Sequence, residues 1–150
     1  MLKKIQAFFA AEEPDDVSDE AALHLAAAVL LIEVAKSDHV VRDMQIEQLK
    51  DVLKREWALD DSDLSDLLNV AQDAAEAHAS LYEQVALVNR NFSAHQKFNL
   101  VRGLWEVAYA NGELHHHEEL LIRRLADLMY VSHTDFIRSK HFVLEARGIH

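Results

Sequence analysis

Apolar residues recur along this chain at steps of three and four, the spacing of a helix that buries one face. Leu23, Ala26, Ala27, Leu30, Leu31 and Val34 form such a stripe in a segment that Ser18 or Asp19 can cap and that runs to about residue 37. Ile46, Leu49, Val52 and Leu53 repeat the spacing over 43–57, and Leu64, Leu67, Leu68 and Ala71 repeat it from a start at Asp61 or Ser62 to about 75. Further helices are predicted over 81–89, over 94–110 behind Ser93, over 115–128, and from Ser132 or Thr134 through Phe136 to 145. A short amphipathic helix over 2–11 precedes the acidic run Glu12-Glu13-Pro14-Asp15-Asp16. One proline and three glycines leave few helix breaks, so the pattern predicts a compact all-α bundle of seven to eight helices. Residues 1–17 read as a short helix and acidic linker, and residues 18–150 as the helical domain.

The chain also resembles itself. A shift of 73 residues lays Leu31-Ile32-Glu33-Val34-Ala35 on Leu104-Trp105-Glu106-Val107-Ala108, with four of the five identical. The same shift pairs Leu49 with Ile122, Val52 with Leu125, Asp38 with Asn111 and Gln45 with Glu118. With a one-residue slip, Asp61-Ser62-Asp63-Leu64 lies on His133-Thr134-Asp135-Phe136. Two copies of a helix-turn-helix unit would pack with internal pseudo-twofold symmetry. Chance likeness between amphipathic helices is the competing explanation.

Composition narrows the function classes. A 150-residue chain can build a core on apolar packing alone, and the absence of cysteine removes thiolate metal sites and cysteine nucleophiles. A net charge of −11 repels phosphate and argues against nucleic acid as a partner. No apolar run is long enough to span a bilayer, and the start is a poor secretory signal, so a cytoplasmic address is expected. Lys3, Lys4, Phe8 and Phe9 can touch a membrane surface, although docking on the bundle is favoured over that contact.

The connections after the two alanine-rich helices carry the candidate chemistry. Asn111-Gly112-Glu113 and the first-turn Glu118 place several oxygens on one small loop, as a hard divalent cation requires. Helix capping produces the same string, since Asn-Gly stops a helix and a first-turn Glu complements the dipole of the next. Asp38 in the first copy, with Glu33 and Glu106 at matching places in the repeat, completes a composite acidic set of Asp38, Glu118, Glu33, Glu106, Asn111 and Glu113, with Asp43 nearby. A solvated acidic face is the alternative.

The alanine-rich helix ending in Asp38 or Asn111-Gly112, the acidic first turn, and the continuation Leu121-Ile122-Arg123-Arg124-Leu125-Ala126-Asp127-Leu128-Met129-Tyr130 resemble the tellurite-resistance TerB-like family over about residues 18–138. The resemblance implies a seven-helix pseudo-twofold domain without established catalytic activity. It also implies acidic residues able to bind divalent cations and a link to tellurite or metal stress at the membrane. Each copy of the family pattern reads Ala-Asp-Gly, with a Glu seven residues after the Asp. This chain departs from it in both copies: His39 follows Asp38 and Gln45 replaces the Glu, while Asn111 replaces the Asp and Gly112 and Glu118 are kept. One carboxylate per pair implies weak binding of calcium, magnesium or zinc at most.

His115, His116 and His117 are adjacent, and adjacent helical side chains diverge by about 100°, so all three cannot hold one ion. Glu113 with His117 and His115 with Glu119 are the two pairings a helix permits. Trp57, Trp105, Phe92 and Phe98 read as core or helix-junction anchors. No phosphate loop, zinc-protease motif or nucleophile elbow is present. Three functions follow: a non-enzymatic module binding a cation or a protein partner, itself soluble or membrane-associated; an adaptor without an ion; and, weakest, a metal-dependent hydrolase using Asp38 and Glu118. The oligomeric state is not legible.

Overall fold

The computed structural model describes residues 20–36, 43–76, 81–110, 112 and 114–148. Seven α-helices follow one another among them: α1 (Glu20–Ala35), α2 (Asp43–Trp57), α3 (Asp61–Glu76), α4 (Leu81–Asn91), α5 (Ala94–Ala108), α6 (His116–Leu128) and α7 (His133–Ala146). No described residue is in a strand. The predicted N-terminal helix over 2–11 lies outside the described residues.

Local chemistry sets the boundaries. Ser93 accepts the Gln96 N–H at 3.1 Å while the Gln96 side chain accepts the Ser93 N–H at 2.8 Å, a reciprocal cap that starts α5. Ser132 opens α7 by accepting the Asp135 N–H at 3.1 Å. Helix α3 begins at Asp61, as the pattern predicts, behind Asp60, which accepts the Asp63 N–H at 2.7 Å. Helix α4 runs two residues past the predicted end, to Asn91, whose side chain donates to the Leu87 carbonyl at 2.8 Å. Helix α5 closes at Ala108, two residues short of expectation, where Arg147 donates to the Tyr109 and Glu106 carbonyls at 3.2 and 3.4 Å.

The internal repeat is visible in the element boundaries. Helices α1 and α5 end 73 residues apart, at Ala35 and Ala108; α2 and α6 begin 73 apart, at Asp43 and His116; α3 and α7 begin 72 apart, at Asp61 and His133. The missing residue falls at the helix exits, where Ala58 and Tyr130 hold the left-handed conformation, with φ of 50° and 60°. Packing repeats too: α1 lies on α3 and α2 as α5 lies on α7 and α6, and α1 and α5 meet at the centre. Leu31 and Leu104, Val34 and Val107, Leu49 and Ile122, and Val52 and Leu125 are all buried. At Gly103 a Cβ would lie 2.8 Å from Val52 Cγ1, so the missing side chain sets how closely α2 and α5 cross.

The anchors fall largely as predicted. Trp105 is fully buried, with its ring centroid 5.2 Å from that of Phe136, while Trp57 lies between His24 at 4.5 Å and Phe92 at 6.2 Å. Phe98 is only half-buried, with the Arg138 guanidinium 4.6 Å above its ring.

Candidate functional site

Two of the residues paired by the repeat touch each other. Gln45 in the first turn of α2 and Glu118 in the first turn of α6 are both fully buried, and Gln45 Nε2 donates to Glu118 Oε2 at 2.8 Å. Residues related by a twofold meet only near its axis, so this bond marks where the pseudo-twofold passes. The other carboxylate oxygen of Glu118 accepts the His115 N–H at 3.2 Å, tying the residue to the turn before α6. Gly112 enters that turn at φ +87°, a conformation that favours glycine, and its N–H donates to the Tyr109 carbonyl at 2.9 Å. Burial of a carboxylate is costly without donors aimed at it. The amide of Gln45 and the backbone of His115 are two such donors.

The remaining acidic residues are dispersed. Glu106 takes both terminal nitrogens of Arg55, at 2.8 and 2.7 Å, and has Arg102 Nε at 3.6 Å. Its hydrogen bond holds the Arg55 guanidinium above its usual pKa. Glu33, the counterpart of Glu106, faces Lys36 at 4.0 Å. Asp38, Asn111 and Glu113 lie outside the described residues. Among the described residues no three His, Asp or Glu side chains gather where they could hold a metal ion. The fit to a cation is therefore partial: Glu118 stands at the base of the Gly112 turn, and Glu33 and Glu106 have cationic partners of their own.

The histidine run serves other ends. His115 precedes the first residue of α6 and accepts the Glu119 N–H on its carbonyl at 3.1 Å. Glu119 itself turns to Lys140 at 3.6 Å and Arg123 at 3.9 Å, ion pairs with α7 and within α6. His116 and His117 are exposed, with ring centroids 6.2 Å apart.

Sequence reasoning treats Gln45 as a lost ligand, whereas the structure makes it the partner of Glu118. The signal was the 73-residue register itself, since equivalent positions near a twofold are natural contacts. Arg55, which clamps Glu106, had no sequence signal, because the contact joins α2 to α5 across 51 residues, whereas Arg102 stands four residues before Glu106 on α5, a spacing visible in the sequence.

The fold defines an all-helical domain made of two related three-helix units with a buried polar contact between them. The family model for tellurite resistance protein TerB matches residues 24–141, well over half of the chain, and the chain belongs to that family. No curated protein and no solved structure matches it significantly. No helix among the described residues is long and apolar enough to cross a membrane.

Proposed function

We propose that this chain is a non-enzymatic, cytoplasmic TerB-family module that acts by holding a protein partner in the response to tellurite or metal stress. The observation that supports this reading is the commitment of the candidate carboxylates among the described residues to internal contacts. Glu118 is hydrogen-bonded across the repeat, Glu106 is clamped by Arg55, and Glu33 faces Lys36. Exposed apolar side chains supply what a partner can grip: Tyr130 is 83% exposed, Tyr82 58%, and Met44 and Phe142 53% each. Tyr and Arg dominate binding hot spots, and here Arg124 Nη2 donates to the Tyr82 hydroxyl at 2.7 Å, displaying both on one surface. Affinity purification from cells with and without tellurite tests this reading. A discrete partner lost on Tyr82→Ala or Tyr130→Ala is expected, and a chain that retains the same partners with both residues replaced refutes it.

A second reading is favoured by the place of Glu118 beneath the Gly112 turn. There it could join Asp38, Asn111 and Glu113 in a weak oxygen site, with a dissociation constant on the order of 10⁻⁴ to 10⁻³ M for calcium or magnesium. Calorimetric titration of Asp38→Asn and Glu113→Gln separates the two readings, because loss of cation uptake in these variants assigns the loops to the ion.

A further inference from the structure

A cavity of about 140 Å³ lies where α1, α2 and α5 meet. Leu31, Val52 and Leu100, all buried, give it an apolar lining, to which Trp57 and Phe92 add two rings 6.2 Å apart and tilted by 59°. The lining reaches solvent at the exposed Gln96 and the half-buried Glu56. Both polar groups are already engaged at one oxygen. Glu56 Oε1 accepts from Arg55 Nε at 3.2 Å and lies 3.6 Å from Arg102 Nη2, while Gln96 Oε1 accepts the Ser93 N–H at 2.8 Å.

The repeat shows how the same position looks when it is filled. Leu31, Val52 and Glu56 stand 73 residues before Leu104, Leu125 and Met129, and Gln96 stands 73 after Leu23. Leu104, Leu125 and Met129 are fully buried, and Leu23 packs against the core. Val52 is a methylene smaller than Leu125. Glu56, drawn to its two arginines, leaves the position where the second unit puts a methionine side chain inside. Leu100 in place of Ala27 returns part of that volume, and the cavity is what remains.

We infer that this cavity is a binding site for a small neutral aromatic molecule. Its size sets the first limit, because a cavity of about 150 Å³ among apolar side chains takes a single benzene-sized ring. Charge sets the second. An anion would meet Glu56, the one charged residue of the lining, and a cation would have to compete with Arg55 and Arg102 for it. Trp57 and Phe92 offer a ring the tilted contacts that aromatic pairs prefer. At the solvent edge the Glu56 carboxylate can accept and the Gln96 amide nitrogen can donate, which suits a ring bearing one hydroxyl. Neither Tyr82 nor Tyr130 lines the cavity, so the site is separate from the partner surface and does not depend on it.

Phenol is the probe. Titrated into the full chain with labelled methyl groups, it should shift the resonances of Leu31, Val52 and Leu100 and the indole N–H of Trp57 saturably. The methyls of Leu104 and Leu125, the counterparts in the second unit, should stay in place. Benzoate, a charged ring of similar size, should give no saturable shift. Glu56→Met, which sets the methionine of the second unit at its counterpart, should abolish the phenol shifts. Leu100→Phe, which fills the cavity from α5 and leaves Glu56 untouched, should do the same. Saturable shifts in both units or in neither overturn the proposal. So does benzoate bound as tightly as phenol, or phenol shifts that persist when the cavity is filled.

Discussion

The two halves of this molecule share a backbone plan and differ in what they present to solvent. Residues 1–75 carry 7 basic and 17 acidic side chains, a net −10, whereas residues 76–150 carry 8 and 9, a net −1. Helix α1 is enclosed by α2 and α3 of its own half and by α4, α5 and α6 of the other, so that only Leu23 and Glu33 between Ala22 and Ala35 escape burial. The second half instead sets cations beside aromatic rings that stay partly in solvent: Arg138 lies over Phe98, Arg102 over Phe142 and Lys97 over Tyr130, at 4.6, 5.2 and 5.8 Å. Matching helices with unequal cover show that the core positions of the repeat keep the fold, while the outer positions are free to diverge into different surfaces. Most of the excess negative charge therefore sits in the first half of the chain.

The comparison is broken most severely at the contact between the units. Gln45→Leu removes one donor from a fully buried carboxyl group that keeps the His115 N–H, and should cost about 2–3 kcal/mol, because water does not replace the lost partner there. The double variant Gln45→Leu/Glu118→Leu should cost less than Gln45→Leu alone, since both polar groups then leave together. Urea denaturation of the three chains decides this, and additive losses would show that the two residues do not depend on each other. A smaller effect is expected at Gly103, where Ala must push Val52 aside: a loss of about 1–2 kcal/mol, the overpacking cost less the helix propensity that Ala restores. Val52→Ala in the same chain should recover part of it, and a melt that rises on Gly103→Ala would show that α2 and α5 separate freely.

The smallest effect depends on pH and belongs to one half alone. Lys36 and Tyr109 are counterparts just past the ends of α1 and α5. Burial, with a lesser push from Glu119, holds the Tyr109 hydroxyl above its ordinary value of 10.0. A raised acid binds its proton more tightly in the folded chain, so its contribution is complete below pH 10 and is lost as the pH climbs through the folded value. Tyr109→Phe should flatten the decline of melting temperature between about pH 9.5 and 11. An unchanged slope would place the alkaline sensitivity elsewhere.

The fold was legible because helix periodicity and the repeat are properties of apolar spacing, and core positions such as Leu31 and Leu104 obey it in both copies. Boundaries slipped where side chains rather than spacing decide them, as at the end of α5, where Arg147 donates to the Tyr109 carbonyl. The candidate site was legible only in part. Glu118 stood out by its first-turn position, but its partner is an amide 73 residues away, and amides carry no charge signature in a sequence. The clamp of Arg55 on Glu106 was illegible for a different reason: it depends on how α2 and α5 cross, which Gly103 settles by contact.

The meeting of Gln45 and Glu118 also bears on how such a domain could arise. In a dimer of identical single units, any residue beside the dyad faces its own copy, so a glutamate there must confront a glutamate and a glutamine a glutamine. Fusing both copies into one reading frame removes that obligation. Each copy can then mutate alone, and a donor can be set against an acceptor at a spot where an ancestor of two equal chains had to set like against like. On this view the amide–carboxylate pair is a mark of covalent duplication, an asymmetry open only to a chain that is its own partner.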